Sequence, residues 1–141
     1  MFVLDTNVVS ELRKVAAGKA DRHVAAWASS TPAGSMYISA ITVLELELGV
    51  LAIERRDPTS GAVLRSWLDT RVLPTFVDRT LSVDTSVALR CAGLHVPDPR
   101  AERDALIAAT ALAHGMAVVT RNVRDFQPMG VDVVNPWKAA G

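Results

Sequence analysis

Three carboxylates stand where an α/β chain would place its chemistry. Asp5 directly follows the apolar run Phe2–Leu4, and Glu45 lies shortly after the apolar run Met36–Ile38. Asp104 opens an otherwise apolar helical run that closes at His114 and Gly115 and feeds a third apolar run, Ala117–Val119. Thr120, Arg121 and Asn122 then leave that run. Open α/β sheets build their sites at the carboxyl ends of the strands, so the three acids would converge if their strands are neighbours. Oxygen donors without His or Cys suit Mg²⁺ or Mn²⁺. Such ions activate an attacking water and stabilise a leaving oxygen, which points to phosphodiester hydrolysis.

The elements that must position these residues can be read in order. Phe2–Leu4 is apolar on both faces, as a buried parallel strand would be. Thr6 or Asn7 is expected to cap a helix from Val8 to about Lys14, and Asp21 a second helix carrying Val24, Trp27 and Ala28. Met36–Ile38 reads as the second strand, with Ser39 capping a helix from about Ala40 to Arg55. On that helix Ile41, Leu44, Leu48, Leu51 and Ala52 fall on one stripe at helical spacing. Glu45 falls inside this stripe and Glu47 with Glu54 outside it. A carboxylate among apolar neighbours is costly unless paired or metal-bound, which singles out Glu45.

Further along, Asp57 is expected to cap a helix through Val63, Leu64, Trp67 and Leu68, with Pro74 beyond its end. Leu81–Val83 reads as a weak third strand, Asp84 as the cap of a helix to about Leu94, and His95–Pro99 as the loop before the Asp104 helix. After Ala117–Val119 come a turn at Gln127–Gly130, a last strand at Val131–Val134, and a tail at Asn135–Trp137. Helices between successive apolar strands imply a parallel sheet covered on both faces. No linker or repeat divides the chain, so residues 1–141 are expected to form one domain.

Composition excludes several classes. Fifteen basic residues balance fifteen acidic ones among 141, so no global field draws the chain to nucleic acid or membrane. The basic residues are mainly arginines, and Arg100, Arg103, Arg121 and Arg124 cluster around the Asp104 segment. Arg124 reads as a solvated loop residue. Cys91 is alone, which excludes an internal disulfide and a cysteine zinc cluster. The three histidines share no metal-ligand spacing. Cys91, Trp27, Trp67 and the histidines read as packing or surface residues. Asp5 interrupts the apolar start, unlike a signal peptide, and no apolar run approaches the roughly 20 residues of a membrane helix. A soluble, cytoplasmic protein is expected.

The segments FVLDTNVVSEL, SAITVLELELGV, DALIAATALAHG and VVTRNVRDF, in this order and spacing, resemble the PIN-domain ribonucleases. The resemblance is to the VapC/FitB-type toxins of bacterial toxin–antitoxin pairs and spans essentially the whole chain. It implies a three-layer α/β/α fold around a five-stranded parallel sheet, and a Mg²⁺- or Mn²⁺-dependent endoribonuclease. Asp5, Glu45 and Asp104 match the family's metal-binding carboxylates. Thr6 and Asn7 match the residues that shape the turn after the first. Thr120, just past Ala117–Val119, is a further supporting candidate. Many members have an Asp where this chain has Asn122, so the fourth acidic position falls to Asn122 or to Asp125. The resemblance also implies an inhibiting antitoxin, whose peptide covers the site, and a homodimer. Arg100, Arg103 and Arg121 are the candidate contacts to RNA or antitoxin. A PIN-like scaffold that binds RNA or a partner without cutting is the alternative. Phosphatase and response-regulator readings fail, because Asn7 stands where the former need an Asp and Lys14, Lys19 and Lys138 fit neither scheme.

Overall fold

In the computed structural model, which describes residues 1–139, each apolar run becomes a strand. These are β1 (Phe2–Leu4), β2 (Met36–Ser39), β3 (Thr80–Leu81), β4 (Ala117–Val119) and β5 (Val133–Val134). They form one sheet in the order β3-β2-β1-β4-β5, and every neighbouring pair is parallel. The helices between them are α1 (Thr6–Leu12), α2 (Arg22–Ser30), α3 (Ala40–Arg56), α4 (Pro58–Trp67), α5 (Leu73–Thr75), α6 (Thr85–Leu94), α7 (Glu102–His114) and α8 (Val123–Phe126).

The sheet separates two cores, because successive side chains of a strand point to opposite faces. Val3 and Val118 face one core, with Val87 and Cys91 of α6, Ala105 and Ile107 of α7, and Phe126 of α8. Leu4 and Val119 face the other, with Val8 and Val9 of α1, Ile38 of β2, and Leu46 and Val50 of α3. Helices on both faces give the three layers that the resemblance implied. Ala105, Ala108, Ala109 and Ala111 are all fully buried, so α7 rests on the sheet through small side chains. Gly115, at φ 65°, ends α7 in the left-handed conformation that glycine adopts freely.

Several local expectations need correction. Asp5, not Thr6 or Asn7, caps α1, accepting from the Thr6 amide, and the helix ends at Leu12. Pro74 lies within α5, which a π-type turn at Leu68–Val72 joins to α4. β3 comprises Thr80–Leu81 instead of Leu81–Val83, because its partner β2 ends at Ser39, opposite Leu81. β5 begins at Val133, since it can pair only with Val118 and Val119. Val123–Phe126, between β4 and the expected turn, is a short helix.

The largest correction concerns α3. Its buried residues are Thr42, Leu46 and Val50, whereas Leu44, Leu48 and Leu51 are exposed. Glu45 therefore borders the buried stripe instead of sitting among apolar neighbours. The cause is that both sides of this helix are apolar, so periodicity alone could not tell which one meets the sheet. Glu47 and Glu54 are used structurally. Both pair with Arg65 of α4, Glu47 in a fork at 2.6 and 2.7 Å. Gly61 lets α4 come close: a Cβ there would lie 2.5 Å from the Glu54 Cα.

Candidate active site

The chain runs outward from β1 to β2 and β3 on one side, then crosses back to β4 and β5 on the other. The order reverses between β1 and β4, and a crevice at the carboxyl ends of strands forms at such a reversal. Asp5 is the first residue past β1, and its amide donates to the Val119 carbonyl at 2.8 Å. Its side chain is buried, at 4 % exposure. Oδ1 accepts from the Thr6 amide at 2.8 Å. Oδ2 accepts from Thr120 Oγ1 at 2.7 Å and from Asn7 Nδ2 at 3.2 Å. Burial pushes the Asp5 carboxyl above its ordinary range, against the pull of these hydrogen bonds, and the Glu45 charge adds to the rise.

Glu45 projects from α3 toward the same place. Thr6 Oγ1 donates to Glu45 Oε1 at 2.7 Å, so the residue after Asp5 holds the second acid. The hydroxyl of buried Thr42 lies 3.4 Å from that of Thr6 and backs the arrangement. Asp104 is the third residue of α7, half-buried. Its carboxyl is pushed up to about 6, first by burial and then by the charges of Asp5, Asp125 and Glu45. Three other carboxylates thus act on Asp104. Among the described residues, Arg103 meets them within ion-pair distance: its Nη1 lies 3.8 Å from Glu45 Oε2, and its side chain is half exposed.

The remaining singled-out residues divide. Asn122 is exposed, and only its backbone joins the network, donating to Thr120 Oγ1 at 3.0 Å. Asp125 is also exposed, and it lines a cavity of about 240 Å³ with Asp104, Arg100 and Arg124. The Arg100 Nε is buried without a hydrogen-bond partner among the described residues. Arg121 sets its guanidinium over the Trp137 ring, 5.2 Å from its centroid, while its amide donates to Asn7 Oδ1. Asp84 caps α6 and takes no part in the site. One contributor escaped the sequence reading. Thr42 lies one helical turn before Glu45 on α3, a spacing that could have marked it. Arg124, expected as a solvated loop residue, is exposed but sits on α8 beside Asp125.

The donor set consists of carboxylate, hydroxyl and amide oxygens, crowded closely enough that the charges of Asp5, Asp125 and Glu45 add to the rise of Asp104. Its chemistry fits a hard divalent cation.

Fold and site together define a class: a parallel three-layer α/β domain with an acidic cluster where its strand order reverses. The chain belongs to the PIN domain family, whose family model matches residues 2–130. It is 38% identical to VapC ribonuclease Y4jK of Sinorhizobium fredii, over 99% of this chain and 100% of that protein. It is 37% identical to toxin FitB of Neisseria gonorrhoeae, over 97% of this chain and 99% of that one. The crystal structure of FitAcB from Neisseria gonorrhoeae superposes with a TM-score of 0.87 at 37% identity, covering 97% of this chain and 99% of that one. No helix among the described residues is long and apolar enough to cross a membrane.

Proposed function

We propose that this chain is a Mg²⁺- or Mn²⁺-dependent endoribonuclease and the toxin of a toxin–antitoxin pair. The observation that carries this reading is the convergence of Asp5, Glu45 and Asp104 at the β1/β4 reversal, where burial and then the charges of Asp5, Asp125 and Glu45 raise Asp104 to about 6. A protein that only bound RNA would gain nothing from crowding acids beside a polyanion. A divalent cation relieves that repulsion. The names of the ribonuclease and toxin relatives agree with this reading.

Asp5, Glu45 and Asp104 would hold the metal. Thr6 orients two of them at once, through its amide to Asp5 and its hydroxyl to Glu45. Asn7 and Thr120 fix the other oxygen of Asp5. When bound, the ion supplies Lewis acidity for an attacking water and offsets charge on the phosphate and the leaving oxygen. Asp104 gives up its carboxyl proton to join the ligand set. Asp125, whose charge already reaches Asp104, serves as the fourth acid in preference to Asn122.

Arg100 and Arg124 border the cavity above Asp104 and Asp125, where they can contact phosphates and stack on unpaired bases. Arg103 is positioned to exchange Glu45 for a phosphate. Arg121 on Trp137 offers a cationic and aromatic edge for RNA or an acidic antitoxin segment. The substrate is a structured RNA cut in a single-stranded loop, which leaves 5′-phosphate and 3′-hydroxyl ends. An apolar cleft of about 220 Å³, lined by Leu12, Met36, Trp67 and Phe76, supports antitoxin docking away from the carboxylates. The exposed leucines of α3 support a homodimer.

Incubation with total cellular RNA and mapping of the ends tests this function. Wild-type protein with Mg²⁺ or Mn²⁺ should produce discrete cuts with 5′-phosphate ends, and Asp104→Asn should not. Equal cutting by both proteins would overturn the assignment.

A further inference from the structure

On the core side of α6, Cys91 and His95 occupy positions four apart, which puts them on one face of the helix. Glu102, the first residue of α7, reaches the same point from across the proline-containing loop. Cys91 Sγ lies 3.8 Å from His95 Nε2 and 3.9 Å from Glu102 Oε1, and His95 Nε2 lies 3.5 Å from Glu102 Oε2. Donor atoms of the three residues fit within 4.8 Å of one another. A tetrahedral zinc ion with bonds of about 2.3 Å to sulfur and about 2.0–2.1 Å to nitrogen and oxygen sets its donors roughly 3.3–3.6 Å apart. The trio is therefore only slightly wider than a ligand set closed on an ion.

We propose that Cys91, His95 and Glu102 form a second metal site, built for a soft divalent transition ion of the zinc type. The donors differ in kind from the acids at the sheet edge. Thiolate and imidazole select zinc or cobalt over Mg²⁺, which the all-oxygen site favours. The buried sulfur and the exposed Glu102 place the ion between core and solvent, leaving a fourth position for water. The site ties the end of α6 to the start of α7, two residues before Asp104.

Occupancy carries a structural consequence. The Arg100 amide donates to His95 Nδ1 at 3.0 Å, so without metal the imidazole proton sits on Nε2, facing Cys91 and Glu102. Binding at Nε2 moves that proton to Nδ1 and releases the thiol proton to solvent. Nδ1–H then confronts the Arg100 N–H, the hydrogen bond is lost, and the loop ending at Arg100 must shift. Arg100 lines the cavity over Asp104, so metal at this site adjusts the active-site rim. The inference does not depend on the ribonuclease reading.

Cobalt titration of the full-length, metal-free protein tests it. One equivalent of Co²⁺ should bring up a near-ultraviolet thiolate-to-cobalt charge-transfer band with tetrahedral visible absorption. The band should persist in Asp5→Asn, disappear in Cys91→Ser and weaken in Glu102→Gln, whose exposed position leaves folding intact. Zinc should bleach it and raise the melting temperature of wild type and Asp5→Asn, but not of Cys91→Ser. Absence of the band in the wild-type protein, or its survival in Cys91→Ser, would overturn the proposal.

Discussion

Thr120 Oγ1 donates to Asp5 Oδ2 across 2.7 Å, joining the first residues past β4 and β1 although they lie 115 positions apart in the chain. This bond spans the reversal of strand order, so the fold itself fixes the orientation of the first acid. Thr120→Val keeps the shape and removes the donor. Partners that orient a metal ligand are worth about 10–100-fold in metal affinity. Calorimetric Mn²⁺ binding should therefore weaken by about tenfold in Thr120→Val and recover in Thr120→Ser. Unchanged affinity would show that Asn7 and Thr6 alone position Asp5.

Asp104 predicts a pH dependence. Its folded-state value of about 6 lies above the ordinary 3.8. The fold thus favours the protonated carboxyl. Its stabilising contribution is fully present below the unfolded value and lost as pH rises through about 6. Burial raises Asp5 in the same direction. Thermal melts in EDTA should show the wild-type melting temperature falling between about pH 4 and about pH 7, and falling less in Asp104→Asn. Added Mn²⁺ should stabilise most at the upper end, where Asp104 is ionised. An equal pH response in the two proteins would remove Asp104 as the source.

Asp125 and Asn122 can be separated by substitution. Both side chains are exposed, but the Asp125 charge acts on Asp104, whereas Asn122 brings no charge. Asp125→Asn should lower RNA cleavage at limiting metal by about tenfold or more, the scale of a lost supporting group. Asn122→Ala should stay near wild type. The reverse ranking would return the fourth position to Asn122.

Strand existence, the parallel sheet and the triad were legible in the sequence because each left a local mark: short two-faced apolar runs, caps at Asp21, Ser39, Asp57 and Asp84, and an acid just past a strand or early in a helix. Glu45 is marked by its place early in α3, but not by the neighbours that periodicity assigns it. Its helix is apolar on two sides, and the sheet covers Thr42, Leu46 and Val50 while leaving Leu44 and Leu48 outside. Tertiary packing made that choice, and no local pattern records it. Asp125 stayed ambiguous for a similar reason, since α8 is one turn long and its direction is set by Phe126, which is fully buried. Cys91 and His95 carried a visible spacing, but their third partner comes from another helix across a proline loop.

The exposed row on α3 leads to a prediction about assembly. Leu44, Leu48 and Leu51 are 44%, 45% and 50% exposed, an apolar face that a two-fold partner could cover. Analytical ultracentrifugation should find the wild-type protein dimeric and Leu48→Asp shifted toward monomer, with melting temperature little changed. A monomeric wild type would exclude the dimer, and a dimeric Leu48→Asp would place the interface elsewhere.

RNA cleavage is proposed to depend on a divalent ion held by Asp5, Glu45 and Asp104. Cleavage of a defined hairpin RNA, followed as metal is stripped with EDTA and restored with Mn²⁺, tests it most directly. Wild-type activity should vanish on stripping and return on restoration, while Asp5→Asn stays inactive throughout. Cleavage that persists in EDTA, or that Asp5→Asn retains, would contradict the account.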